Sequence, residues 1–427
     1  MKQPLDYMYV FLRVLFALAM TGGFPAHADD QGAPDEILTL RQALDWVLLH
    51  NPELAASSHG VRAAEGTVRQ AGTLPNPEIE IEAEEFGGSE ERKGYDAAQT
   101  TLSLSQSVEL GGKRGKRQRV AQSEARLAGW AYEAKRLDVL AETKKAFVDV
   151  LLAQGQLKLA ESLLALAEDV RQTVAERVKA GKVPLLEETK ASVEAVAARI
   201  ARDLAMRELD AARKRLAATW GGTAPLFKEA GGDLDFIQEI PSMEKLSASL
   251  DDSPAIARWK DEVALGQRSL ALAKAERMPN VDVSAGIRRF EDDGSYAGVA
   301  GISLPLPLFD RNAGGILAAE HQAARAEYEQ RAARLRAMTE LVEAYSQLET
   351  ARAEALAIKA ELLPGAQQAF DAAQTGYREG KFGHLEVLDT QRTLSEAKAR
   401  SLEVLAAYQK AAADVERLTG SPLNTIQ

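Results

Sequence analysis

The 427-residue sequence holds no cysteine. That absence removes disulfides, thiolate nucleophiles, Cys-ligated zinc and a lipid attached at an N-terminal cysteine. Histidine is scarce too. His27, His50, His59, His321 and His384 are scattered without ligand spacing, so neither a resident metal nor another cofactor is expected. Positive charge is in deficit: 52 Lys and Arg stand against 63 Asp and Glu, for a net charge of −11. That is the wrong balance for a nucleic-acid surface. No Gly-rich phosphate loop ends in Gly-Lys-Ser or Gly-Lys-Thr, and no Ser-His pairing marks a catalytic centre. An enzyme is not expected.

Long apolar runs are rare. One lies between Val10 and Met20, broken only by Arg13, after Lys2 and before Ala26-His27-Ala28. It has the form of a secretory signal over residues 1–28; a cytosolic chain with an apolar first helix is the other reading. No later stretch approaches ~18 uninterrupted apolar residues. Any membrane the exported chain crosses must therefore be crossed by strands.

What is abundant is repetition. Asn51-Pro52-Glu53-Leu54 returns as Ser253-Pro254-Ala255-Ile256, and Leu74-Pro75-Asn76 as Met278-Pro279-Asn280. Leu102-Ser103-Leu104 returns as Ile302-Ser303-Leu304, Ala180-Gly181-Lys182 as Glu379-Gly380-Lys381, and Trp220-Gly221 as Thr419-Gly420. The offsets stay between 199 and 204. The expected organisation is a first repeat within 29–221, a linker or equatorial segment 222–242, a second repeat 243–420, and a tail 421–427. Each repeat should hold a helix after Pro52 or Pro254, two strands, a very long helix, a Gly-containing break and a last helix.

The strands alternate with period two, at about 78–86, 100–110, 280–290 and 298–309. Glu78, Glu80, Glu82 and Glu84 oppose Ile79, Ile81 and Ala83; Leu102, Leu104 and Val108 oppose Ser103, Ser105 and Ser107. Val281, Val283 and Ile287 oppose Asp282, Ser284 and Arg288, and Ala300 to Leu308 gives a fourth apolar face. Such lengths fit membrane-spanning strands, although a soluble sheet with one face on a core alternates in the same way. The helical stretch from about Lys113 to Ala180 favours the first reading. It would run ~100 Å at 1.5 Å per residue, too long for a compact domain, and Val148 to Val178 supply a coiled-coil-like stripe. Four strands cannot close a barrel, and an open edge in lipid is costly. Other copies must close it: two give eight strands with a filled lumen, and three give twelve with a passage.

The duplicated Asn-Pro and Leu-Pro-Asn elements, Gln106 to Arg114, Leu304-Pro305-Leu306-Pro307-Leu308-Phe309, and Gly376 to Gly380 with Leu385 to Gln391 resemble the TolC family of outer-membrane efflux ducts. Leu74 to Gly88 and the Glu109 to Arg114 junction are similar to its CzcC, or cobalt–zinc–cadmium, branch. The resemblance implies a mainly α fold with a membrane β-barrel. It also implies a homotrimer, outer-membrane lipid around the barrel, and a helical barrel in the periplasm. The partners it implies are a periplasmic membrane-fusion adaptor and an inner-membrane RND-type pump, with divalent heavy-metal cations or organic drugs as cargo. A soluble coiled-coil adaptor is the rival of another class.

By the same resemblance, Glu187, Glu386 and Asp389 match carboxylates near a periplasmic constriction, and Tyr377 matches a residue bracing the closed state. Glu386 and Asp389, three apart, share a helix face; solvated coiled-coil charges would look the same. Phe382 stands where the family often has a basic brace. The tips Gly181, Lys182, Gly380 and Lys381 are implied docking points for the adaptor. Glu78 to Glu84 would give either an acidic lumen or merely a wet strand face. Lys113, Arg114, Lys116 and Arg117 would meet lipid phosphates.

Overall fold

The computed structural model describes residues 36–379 and 381–423; the expected signal and Gly380 lie outside them. The chain opens with β1 (Ile37–Thr39) and α1 (Leu40–His50). Thr39 and Gln42 form a reciprocal capping box at the start of α1, which satisfies two otherwise orphaned amides. Asn51 then caps α2 (Pro52–Ala71): its Oδ1 accepts from Leu54 N at 2.9 Å, and Pro52 fits the first turn.

The strands β2 (Glu78–Glu84) and β3 (Gln99–Val108) lead into α3 (Lys113–Lys179). Its 67 residues make a column of ~100 Å. One window of α3 is apolar enough, by length and composition, to cross a membrane. A long helix packed along one stripe passes the same test. α4 (Leu185–Ala218) returns alongside α3. After β4 (Glu229–Gly231) and α5 (Met243–Leu250), the plan recurs as α6 (Pro254–Glu276), β5 (Val281–Phe290) and β6 (Tyr296–Ser303). α7 (Ala313–Ala357), α8 (Leu363–Arg378) and α9 (His384–Thr419) complete it.

Two local results differ from the pattern read in the sequence. β6 stops at Ser303 rather than near Phe309. The leucines continue to alternate, but Pro305 and Pro307 have no amide to give a ladder. The second long helix is also interrupted: a π turn, Ile358–Leu362, separates α7 from α8. Pro364 explains its place, because a proline within a helix removes one i→i−4 bond and crowds the carbonyl of the preceding turn.

β2, β3, β5 and β6 form one antiparallel sheet in that order. Leu104 pairs with Ile79 on one side and Ala285 on the other, so one face of the sheet is apolar throughout its centre. Among the described residues neither outer edge, on β2 or β6, has a partner strand.

The core sits midway along α3. Phe147, Val148 and Val150 are fully covered there, with Val47, Leu216 and Leu405 in the same cluster. A second cluster gathers Leu341, Leu348, Tyr408 and Val415. Segment 222–242 is tied down at the same level. Gln154 pairs with both backbone groups of Ala230, at 2.7 and 3.0 Å. Gln409 donates to Phe236 O at 3.0 Å, and Arg352 to Gln238 O at 2.7 Å. Lys144–Glu416, Lys145–Asp414 and Lys410–Asp149 pair α3 with α9.

Candidate functional site

On its two central strands, β3 and β5, the sheet's faces have the reverse of ordinary exposure. Leu102, Leu104 and Ile287 are 54%, 52% and 59% exposed, whereas Thr101 on the polar face is 5% exposed. A soluble sheet hides its apolar face. This arrangement suits one whose apolar face meets hydrocarbon and whose polar face meets water. On the polar side, Glu82, Thr101, Arg288 and Ala297 form one cross-strand row. Arg288 donates from Nε to Thr101 Oγ1 at 2.9 Å and from Nη1 to Gln99 Oε1 at 2.9 Å, and pairs with Glu84 at 2.9 Å. Of the four glutamates on β2, therefore, Glu84 already has a counter-charge.

The basic run at the start of α3 is mostly engaged internally, which corrects the lipid-phosphate expectation for three of its four residues. Lys113 Nζ donates to Asn280 Oδ1 at 2.6 Å and Lys116 Nζ to Gly111 O at 3.0 Å. Arg117 grips Glu109 at 2.7 and 3.2 Å and donates to Ala71 O at 3.1 Å. These bonds fasten the strand-to-helix junction to the end of α2. The guanidinium of Arg117 holds the Glu109 carboxyl below the ordinary value, outweighing the opposite push of burial.

At the far end of α3 two helical hairpins turn. Gly181 takes φ +67°, a left-handed conformation that glycine adopts without a Cβ clash. The amides of Gly181 and Lys182 then close onto Val178 O and Arg177 O, both at 2.9 Å. In the second hairpin Lys381 N and Phe382 N both donate to Gly376 O. Phe382 lies over Gly376, where an added Cβ would overlap its ring. That packing is what the phenylalanine does in place of a basic brace. Lys381 pairs with Glu379 at 2.6 Å.

The expected tip residues fall into separate surroundings. Glu187, in the first turn of α4, accepts from Lys190 at 3.0 Å. Glu386 and Asp389 lie in the first turns of α9, both exposed. No ion pair or hydrogen bond joins Glu187 to either of them among the described residues. Asp389 lies close enough to Arg392 to help keep it protonated, behind the stronger hold of Glu396 and ahead of Glu194 on α4. Tyr377 receives a hydrogen bond from Arg177 Nη1, and the guanidinium also lies 5.9 Å from the tyrosine ring centroid. Arg177, from the first hairpin, was not singled out from sequence. Its only signal there is its place one turn before Gly181. Among the described residues no group of three or more His, Asp or Glu is arranged to hold a metal.

The family model for outer membrane efflux proteins matches residues 43–222 and 246–421. The chain belongs to the outer membrane efflux protein family. It is 35% identical, over 98% of both chains, to the cobalt-zinc-cadmium resistance protein CzcC of Cupriavidus metallidurans. It is 29% identical, over 69% of this chain and 66% of the relative, to the nickel-cobalt-cadmium resistance protein NccC of Alcaligenes xylosoxydans xylosoxydans. A crystal structure of CusC superposes with a TM-score of 0.75 at 18% identity, covering 94% of this chain and 99% of that one. That likeness is one of fold. Within this efflux family fold, the inverted sheet and the paired hairpin tips are the two ends of one helical column.

Proposed function

We propose that three copies of the chain form an outer-membrane duct. It passively conducts divalent heavy-metal cations delivered by an inner-membrane RND-type pump through a periplasmic membrane-fusion adaptor. The observation that carries this reading is the inverted sheet with two unpaired edges. In hydrocarbon each unmet backbone group costs several kcal/mol, so β2 of one copy and β6 of the next must pair. Three four-stranded sheets then close a twelve-stranded barrel, wide enough to leave a passage. The metal cargo rests on the likeness to the CzcC and NccC resistance proteins.

In such a trimer the helices form the periplasmic barrel. Gly181, Lys182 and Lys381 occupy the tips that meet the adaptor, with Leu185, Leu186, Phe382 and Leu385 exposed beside them; Gly380 belongs to the same docking set by resemblance. Glu187, Glu386 and Asp389 line the periplasmic opening as three carboxylates per copy and favour cations there. Tyr377, held by Arg177, braces the opening. Replacing Glu386 and Asp389 together by Ala should weaken cation preference in planar bilayers; unchanged selectivity removes them from the account.

The cargo is tested by deleting the gene and restoring it in a growth panel of zinc, cobalt, cadmium, nickel and copper beside dyes, detergents and antibiotics. Sensitivity confined to divalent metals and reversed by restoration supports the reading. Sensitivity to organic compounds alone overturns the cargo and leaves the duct.

A further inference from the structure

Arg288 stands out on the polar face of the sheet. Among the described residues of β2, β3, β5 and β6 it is the only cation on that face, against Glu78, Glu80, Glu82, Glu84 and Asp282. Arg289 points to the other face and pairs with Glu291 at 3.1 Å. Arg288 is also aimed. Its three contacts, Thr101 and Gln99 on β3 and Glu84 on β2, reach across the sheet from β5. The guanidinium can neither lose its proton nor rotate away without breaking a fork of bonds.

The pair sits toward one end of the sheet. Glu84, Gln99 and Arg288 lie at the end of the sheet that carries the 85–98 and 291–295 loops. Glu78 and Asp282 lie at the end that joins the helices. The pair therefore leaves Glu78, Glu80, Glu82 and Asp282 of each copy as the carboxylates of this face with no ion pair among the described residues.

We propose that Arg288 is a specificity-determining residue of the duct. By cancelling Glu84 it sets how strongly the negative field of the polar face favours cations. This rests on the barrel reading above. Conduction requires binding favourable enough to enter and weak enough to leave, and one neutralised carboxylate among the five acidic residues of this face tempers retention without removing the preference.

Reversal potentials of the full-length trimer in planar bilayers, under a KCl gradient, test it. Arg288→Gln unmasks Glu84 in three copies and should raise the K+/Cl− permeability ratio about twofold or more. Glu84→Gln leaves the guanidinium uncompensated and should lower it. Arg288→Lys, which keeps the charge, should stay near wild type. A merely structural role would move Arg288→Gln and Glu84→Gln in the same direction or neither, and either result overturns the proposal. Where Arg288→Gln yields too few channels to record, Glu84→Gln decides, and a ratio at or above wild type is contradictory. A wild-type chain that forms no conducting channel overturns the barrel reading itself, and the assignment with it.

Discussion

In the first half of the chain α3 runs 67 residues without a break. In the second half the same distance is covered by 45 residues of α7, five of π turn and 16 of α8. The span is kept while its stiffness is not. Proline-free α3 packs against α2, α4, α6 and α9 and acts as the spine, whereas the second column has a built-in irregularity beside Ile358 and Leu363 at the core. The strands differ likewise. β2 carries only acidic residues on its polar face, and its counterpart β5 carries Asp282 and Arg288. A shared plan with divergent local chemistry leaves the length and the two-faced sheet common to both halves, and the joints and charges particular to each.

What the halves share is the largest target. Leu104→Arg places a cation on the apolar face at the centre of the sheet and should cost about 2–4 kcal/mol per copy if that face meets lipid. Loss of the SDS-resistant oligomer from outer-membrane fractions would report it, while Ser103→Arg next door should be tolerated. The stiffness contrast comes next. Ala165→Pro puts a proline in exposed α3 at the position matching Pro364 and should destabilise by about 3 kcal/mol. Pro364→Ala should change stability by less than about 1 kcal/mol. Equal losses in thermal unfolding would erase the distinction between the columns.

The helix entries differ by a smaller amount. Asn51→Ala removes the cap on Leu54 N and the 2.6 Å bond to Thr219 O, for an expected cost of about 1–2 kcal/mol. Ser253, its counterpart, makes no cap bond to α6 and donates only to Leu250 O. Ser253→Ala should cost less than about 1 kcal/mol by the same assay.

The smallest contrast is one of pH. Glu109 is held below its ordinary value of 4.5 by Arg117, and the matching stretch Leu308-Phe309 has no carboxylate. A depressed folded value means that the stabilisation is complete above about pH 4.5 and fades as pH falls through the lower folded value. Glu109→Gln should flatten the melting temperature over that acid range and leave the curve's shape near neutrality intact. An unchanged acid limb would remove the pair from the junction's stability.

Much of the architecture was readable because each element answers to a period. Alternation at Ile79, Ile81, Leu102 and Leu104 reflects two faces in different surroundings, and the stripe from Val148 to Val178 reflects a helix packed along one side. Alternation misled only where proline removed the ladder, at Leu304 to Phe309. Pro364 carried the signal of the π turn. The side-chain contacts were not readable. Arg177 meets Tyr377 across 200 residues of sequence, and Arg288 reaches Glu84 from the other half of the chain; local spacing holds no trace of such pairings. The tip carboxylates could be named by resemblance, and the surroundings that separate them are local to each helix: Lys190 lies three residues from Glu187 on α4, and Arg392 three from Asp389 on α9.

The central claim is that the sheet's apolar face meets lipid and its polar face a water-filled lumen. With no native cysteine, single cysteines can be placed at Glu80, Ile81, Leu102, Ser103 and Leu104. They would then be challenged in intact outer membranes with a bulk-impermeant maleimide small enough to enter the duct. The account predicts labelling at positions 80 and 103 and protection at 81, 102 and 104. Labelling at all five, or protection of 80 and 103 with labelling of 81, 102 and 104, would contradict it.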